Sequence, residues 1–426
     1  MVKRIRKILS NWYVFSIVSK ITMVLIGMLY SVLTARYLGT ELKGETAYIS
    51  SVVTTVGIFT SFGLHQAYPY YRKTFGKEKI VSRYMTDIVF LHFVYIVVAI
   101  FASLVSHTTE MVVILLFIPF ASYYRVVNYV ATIEKPNHVQ MIGVIIEIVE
   151  IIIILILMFT VPRNYMIAVA ILVAKEVVSG FIFTKQIGAT ISIKNIDFKL
   201  LLEMAKYGFF PMVSLLLSTM NYRVDQIMMK QMDCISTSQL GVYSIGISLA
   251  NKVLLVPEAV KTILLAKLSR DKGPEEVAMA TRCCLPVAII VCLGIVILGR
   301  PFINTLYGGE YAGAYEVTVA TMIGIISIMY YKMIATYNNV NGMQKLNIVL
   351  LLVAVVSNMI MNYILLPTMN IVGGALASTI SYTICAILFV AIFIRKTDVL
   401  LKDMLLINRD DMRRIRSIIG KTKTSN

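Results

Sequence analysis

Two apolar stretches between Lys206 and Arg270 carry ionisable side chains where hydrocarbon alone would do, and these residues have chemistry to offer. The first stretch, 207–232, holds Asn221, Arg223 and Asp225; the second, 240–264, holds Asn251, Lys252, Glu258 and Lys261. A charge at the centre of a membrane helix costs on the order of 3 kcal/mol on insertion scales, so a helix that keeps one turns it toward a partner or a water-filled path. Arg223 and Asp225 stand two residues apart, on nearly opposite sides of a straight helix, and do not neutralise each other. Each is open to an ion pair with another helix or to a place in a polar cavity, and the cavity is the favoured reading for Arg223. It is favoured also for Asn251 and Lys252, which lie near the middle of their run, too deep for an easy reach to the interface. Glu258 and Lys261, three apart and close to the inner end of the run, read as a local salt bridge.

Further cations sit in other runs. Lys20 falls about nine residues into the first, roughly 13 Å deep at 1.5 Å per residue, where it either faces a cavity or snorkels to the interface. Lys332 lies in the tenth run among Tyr330, Tyr331, Tyr337, Asn338, Asn339 and Asn341. That mixture suits stacking on sugar faces and bonding hydroxyls; it is also an ordinary interfacial aromatic belt, which is the plainer reading. Glu150 and Lys175 are each about 11 residues from the same end of neighbouring antiparallel runs, so they read as a depth-matched structural ion pair, with Glu147 and Glu176 nearby. Cations with few acids beside them bind anions. Catalytic patterns are missing: His65, His92, His107 and His138 are scattered, and H-E-x-x-H, G-x-S-x-G and C-x-x-C do not occur. Residues 39–44 have the glycine spacing of a phosphate loop, but Glu45 follows where lysine is required. No catalytic residue, metal or cofactor is expected.

The elements that position these side chains follow from composition. Apolar residues make up 58% of the chain and charged ones 15%, against roughly half and a quarter in soluble domains, and the apolar residues come in runs of about 20. The expectation is an all-α, polytopic membrane protein with spans near 12–33, 47–66, 86–106, 111–130, 141–160, 166–184, 207–232, 240–264, 278–298, 314–337, 346–366 and 372–394. The net charge of +17 does not indicate nucleic acid, because the basic residues lie in short blocks between the runs. Those blocks alternate. Lys3, Arg4, Arg6 and Lys7, the 72–83 loop, Arg125 with Lys135, the 185–199 link, the 267–272 loop, Lys345 and the tail fall on one side. Arg36, Lys43, Arg163 and Arg300 fall on the other, with Lys230 near a helix end. By the positive-inside rule both termini are cytoplasmic, and every outer loop is short. The basic start runs into the first apolar stretch without a cleavage site, so that stretch reads as the first span. Cys283, Cys284, Cys292 and Cys385 lie in or beside apolar runs and only Cys234 in an outer loop, which implies packing rather than disulfides.

The two halves repeat. N-x-x-Q at 137–140 returns at 341–344, and Gly44 with Thr46 matches Gly241 with Tyr243, both at an offset of about 200 residues. A duplicated six-helix unit inserts the same way up twice. The reading is an N-lobe 1–198, a C-lobe 199–396 around a central cavity, and a basic tail 397–426. In the tail Lys402, Arg409, Arg413, Arg414 and Arg416 alternate with Leu405, Leu406, Met412 and Ile415. That pattern reads either as an amphipathic helix on anionic lipid or as a solvated, fraying end.

Several segments resemble one family in order and over nearly the whole chain. They are Leu33-Thr34-Ala35-Arg36-Tyr37-Leu38-Gly39; Tyr207-Gly208 through Asn221-Tyr222-Arg223-Val224-Asp225; Leu240-Gly241-Val242-Tyr243-Ser244; Pro301-Phe302 through Leu306-Tyr307-Gly308-Gly309-Glu310-Tyr311; and Ile371-Val372-Gly373-Gly374-Ala375-Leu376-Ala377-Ser378. These are similar to the Wzx-type oligosaccharide flippases of the multidrug/oligosaccharidyl-lipid/polysaccharide exporter superfamily. The resemblance implies two six-helix lobes working by alternating access in the bacterial cytoplasmic membrane. The substrate it implies is undecaprenyl-diphosphate-linked oligosaccharide moved from the inner to the outer leaflet, for capsule, O-antigen or exopolysaccharide assembly. Membrane lipid and a polysaccharide polymerase are the further partners expected. In that picture Lys20, Arg223 and Lys252, with Asn221, Asn251 and Lys332, face the headgroup. Asp225 matches the acid of the family's R-x-D pattern, in a positional or an ion-coupling role. Two rival readings are a drug or cation antiporter of the same superfamily, which would want an acidic cavity, and a polysaccharide polymerase or ligase, which would want larger outer loops.

Overall fold

Without water to bond to, backbone N–H and C=O groups in hydrocarbon must be satisfied within their own segment, and the apolar runs accordingly form helices. The computed structural model describes residues 12–270 and 273–407, without the side chains of 12–21, 77–79, 137 and 266. The basic N-terminal cluster, the Lys20 side chain and the basic tail beyond 407, with both readings of it, therefore lie outside the described residues. Within them the fold is all-α, with no strand. The first half of the chain forms α1 Trp12–Thr60, α2 Leu64–Phe75, α3 Lys77–Val105, α4 Thr109–Glu134, α5 Pro136–Thr160 and α6 Tyr165–Ile187. The second forms α7 Phe198–Gln231, α8 Thr237–Ala250, α9 Leu255–Leu268, α10 Glu275–Leu306, α11 Ala314–Val340, α12 Gln344–Lys396 and the short α13 Leu401–Leu405.

Ten helices among the described residues are long and apolar enough to cross a membrane. The longest two do not run straight. A straight helix of the 53 residues of α12 would measure about 80 Å, against a hydrocarbon thickness of about 30 Å. Instead Ser381 donates to the carbonyl of Ala354 at 2.7 Å, a pair that a straight helix would hold about 40 Å apart. The reversal is at Asn370, at φ 51° and ψ −140°. In α1 it is at Gly39, at φ 72° and ψ 177°, a conformation reserved for glycine. Tyr30 and Thr54, on either side of Gly39, line the same cavity. The Arg163 guanidinium sits 3.0 Å from where a Gly39 Cβ would lie and donates to the Arg36 carbonyl at 3.3 Å. The loops expected around 34–46 and 367–371 are thus each reduced to one non-helical residue.

Helix starts are set by side chains that take up orphan N–H groups. Ser236 and Gln239 form a capping box on α8, at 3.2 and 2.9 Å, Asn164 accepts from Met166 N at 2.7 Å at the head of α6, and Thr108 caps α4. The link after α6 is strapped along α3. The Thr190 N–H donates to Ser82 Oγ at 3.1 Å, Ser192 N–H to Thr86 Oγ1 at 3.3 Å and Asp197 N–H to Asp87 Oδ1 at 2.8 Å. The Asp197 carboxylate then accepts from Leu200 N at 3.0 Å and starts α7.

The chain divides into two compact units between Leu216 and Leu217, with Leu306–Glu310 assigned to the first. The core of the first unit draws Tyr68 from α2, Tyr84 and Ile88 from α3, Val126 and Val127 from α4, Phe183 from α6 and Met204 from α7. Gly63 and Gly208 bring their backbones into direct contact, and Tyr70 stacks on Tyr207 with ring centroids 4.7 Å apart. In the second unit small residues let helices approach closely. A Cβ on Gly246 would lie 2.8 Å from the Ala314 carbonyl, and one on Gly324 2.8 Å from Thr379 Cα. Across these contacts Thr318 donates to the Gly246 carbonyl at 3.1 Å and Thr379 to the Ala320 carbonyl at 2.7 Å.

Candidate functional site

The polar interior of the first unit centres on a cavity of about 130 Å³ lined by Tyr30, Ser50, Thr54, Lys175 and Glu176 among others. Lys175 Nζ lies 2.9 Å from Glu150 Oε2 and 5.7 Å from the centre of the Tyr30 ring. The structure therefore brings Glu150 and Lys175 together from α5 and α6. Arg125, grouped by sequence with an inner loop, lies inside α4 and donates from Nη2 to the Thr54 carbonyl at 3.3 Å. Another pairing that the sequence reading missed is Arg72 with Glu134, whose Oε1 also accepts from the Tyr68 hydroxyl at 2.8 Å.

In the second unit α7 carries three of the named residues, and they do different things. Asn221 is fully buried; its Oδ1 accepts from the Ser381 hydroxyl at 2.9 Å and its carbonyl from Asn358 Nδ2 at 3.1 Å. Asp225, also fully buried, accepts from the Tyr243 hydroxyl, from Ser378 at 3.2 Å and from Gln226 N–H at 2.7 Å. Asn221 and Asp225 thus join α7 to α8 and α12, and this geometry favours positioning for Asp225. Arg223 is half-buried; among the described residues no hydrogen bond or salt bridge within 4 Å is found for it, and the charge that acts on it is the carboxylate of Asp225, two residues on. Asn358 and Ser381, which hold Asn221, are not among the residues that the sequence singles out, nor is Asn362, which bonds to Asn358; Ser378 enters there only within the 371–378 segment. Their spacing, four and three residues within apolar runs, is the signal that finds them.

Asn251 and Lys252 open a 3-10 turn, Asn251–Leu254, between α8 and α9. Pro257 stands at the third position of α9 and has no N–H to offer the Val253 carbonyl, which accounts for a tightened turn at this point. Both Asn251 and Lys252 are half-buried. Lys332, on α11, is paired with Glu258 of α9. Glu258 also holds Lys261 at 3.1 Å, so the expected local bridge is one arm of a three-residue group. Lys332 Nζ lies 5.3 Å from the centre of the Tyr222 ring, and the Tyr222 and Tyr331 hydroxyls are 2.7 Å apart. The unit thus gathers Lys261, Lys332 and one carboxylate over the Tyr222 ring, an arrangement with one surplus positive charge that can bind an anion. Among the described residues no group of three His, Cys, Asp or Glu side chains is placed to hold a metal ion.

Helices of membrane length packed in two units, with charge kept inside them, define an all-α, multi-pass membrane protein. The chain belongs to the polysaccharide biosynthesis protein family, whose model matches residues 8–260. No curated protein matches the sequence. Among solved structures, the chain is similar to the lipid II flippase MurJ in an inward closed conformation, at 18% identity and a TM-score of 0.71, covering 92% of this chain and 89% of that one. It is also similar to an inward-facing multidrug resistance MATE family transporter of the MOP superfamily, at 12% identity and a TM-score of 0.65, covering 88% and 97%. A MOP superfamily transporter from Pyrococcus furiosus with reversed polarity of its binding pocket aligns at 12% identity and a TM-score of 0.57, covering 89% and 92%.

Proposed function

We propose that the chain is a flippase that moves undecaprenyl-diphosphate-linked oligosaccharide from the inner to the outer leaflet of a bacterial cytoplasmic membrane. It works by alternating access, with twelve passes when α1 and α12 each count as two, and with a duplication boundary near 198. The observation that carries this reading is the set of half-buried cations on helices of the second unit, Arg223 above all, whose one nearby acid, Asp225, is already bonded by Tyr243, Ser378 and Gln226. A diphosphate-sugar headgroup cannot cross hydrocarbon unaided, because bare charge and unsatisfied hydroxyls each cost several kcal/mol. Family membership and the likeness in fold to a lipid II flippase support the substrate class.

The test is polysaccharide export in a strain lacking its own copy, with protein level read in the same cells. The Arg223→Ala, Lys252→Ala double variant abolishes export at normal expression. Lys252→Arg keeps part of the activity and Arg223→Lys less, because a guanidinium can bind phosphate oxygens bidentately and an ammonium cannot. Normal export by the double variant rules out the cationic mechanism.

Drug or cation antiport is the rival supported by the multidrug transporters of similar fold. It would want a free acid. In the second unit Asp225 is already held by three donors and Glu258 by two lysines.

Topology has a separate check. Reporters fused after Lys194 and after Thr424 both read cytoplasmic, since the basic loops set that orientation. An outward reading at either point overturns the twelve-pass count.

A further inference from the structure

One carboxylate on one ammonium is enough to pin two helices together, yet Glu258 gives an oxygen to each of two. Its Oε1 meets Lys332 of α11 and its Oε2 meets Lys261 of its own helix. The group carries one net positive charge, and it is not sealed: 39% of the side-chain surface of Glu258 and of Lys261 is exposed, and 18% of that of Lys332. Two ammonium groups converging on the two oxygens of one anion is also how a phosphate is held by lysines acting as point charges. The Tyr222 ring lies beneath Lys332, and its hydroxyl bonds to that of the buried Tyr331, which fixes the ring in place.

We infer that Lys261 and Lys332 form a diphosphate subsite and that Glu258 is its resident counter-ion, displaced when the diphosphate arrives. This rests on the flippase reading and adds to it a location and a means of control. A diphosphate brings more charge and more acceptor oxygens than a carboxylate, so it competes successfully for both lysines. When it leaves, Glu258 returns, and neither ammonium is left bare among apolar helices, where an unpaired charge is costly. Sugar-linked lipid is thus bound against an internal competitor, which keeps affinity low enough for release.

The experiment uses the full chain in nanodiscs of neutral phosphatidylcholine, with inorganic pyrophosphate as the probe and calorimetry as the readout. Glu258→Gln keeps the shape and removes the competing charge, and it binds pyrophosphate about tenfold more tightly than the unmodified chain. Lys332→Met weakens binding, and the gain is lost in the Glu258→Gln, Lys332→Met double variant. A helix-pinning role predicts the opposite: Glu258→Gln loosens the helices and binds no tighter, and that result overturns the inference. If Glu258→Gln is not recovered folded, Glu258→Asp decides. The shorter carboxylate cannot reach both lysines, so binding tightens by a smaller factor; unchanged or weaker binding overturns the inference equally. Export separates this from the wider reading. No tightening, with export still abolished by the Arg223→Ala, Lys252→Ala variant, removes the counter-ion and leaves the flippase. No pyrophosphate binding by any variant, with normal export by that double variant, removes both.

Discussion

Valine at position 208 leaves little folded protein in the membrane. A Cβ on Gly208 falls on the carbonyl of Gly63, and a Cβ on Gly63 falls on the carbonyl of Gly208. The obstruction is backbone, which unlike the end of a side chain cannot swing aside. Gly63 sits at φ 67° in the turn after α1, so moving it also unsettles the start of α2. Overpacking a core costs typically about 1–3 kcal/mol where side chains can yield; here the cost exceeds that range and takes a large share of the roughly 5–15 kcal/mol that a domain has. The check is size-exclusion chromatography of a fluorescent fusion in mild detergent. Gly208→Val loses the monodisperse peak, while Gly294→Ala keeps it, because nothing lies within 4 Å of a Cβ at Gly294. A peak of ordinary height for Gly208→Val means that the two backbones do not meet in the folded protein.

The second large effect is at the Glu150 and Lys175 pair. Lys175→Met leaves a carboxylate of which only 11% of the side-chain surface is exposed without its cation among apolar helices. Breaking a buried pair in this way costs on the order of 3 kcal/mol, and the low end applies because Lys175 keeps about a third of its surface open. Glu150→Gln alone also lowers the folded yield. The double variant recovers much of the loss, since exchanging both partners removes the uncompensated charge. Thermal stability in detergent reads this out. A double variant no better than the worse single one shows that the two residues are not coupled.

What could be read from the sequence depended on how far apart the interacting residues lie. Runs of apolar residues about 20 long are governed by hydrocarbon thickness, so helix positions were visible; their ends were not, because α1 and α12 continue to a single break at Gly39 and Asn370. Glu150 and Lys175 could be matched because neighbouring antiparallel helices share depth, and depth is countable along the chain. Lys332 gave no such clue. Its acid, Glu258, is 74 residues away on α9, and the only rule available from sequence offered that acid to Lys261. Asn221 shows the same limit: its partners Asn358 and Ser381 are 137 and 160 residues off, and only the packing of α7 against α12 brings them in. Arg223 and Asp225 were separable by the angle between them on a helix. What each would meet was not readable, and Asp225 meets hydroxyls from α8 and α12.

The place where the two compact units divide is not the place where the second half of the sequence is expected to begin. A second six-helix half is expected to open near residue 199, but Tyr207, Gly208 and everything to Leu216 belong to the first unit. If the chain arose by tandem gene duplication, the ancestral six-helix protein would have needed the opening turns of another copy to cover its Gly63 turn. Such a half would be self-sufficient only as a dimer, and fusion would make that exchange between partners permanent. Anyone building chimaeras from two relatives meets the same constraint: a junction near residue 198 hands the first parent's glycine turn a foreign helix, and one placed after Leu216 does not.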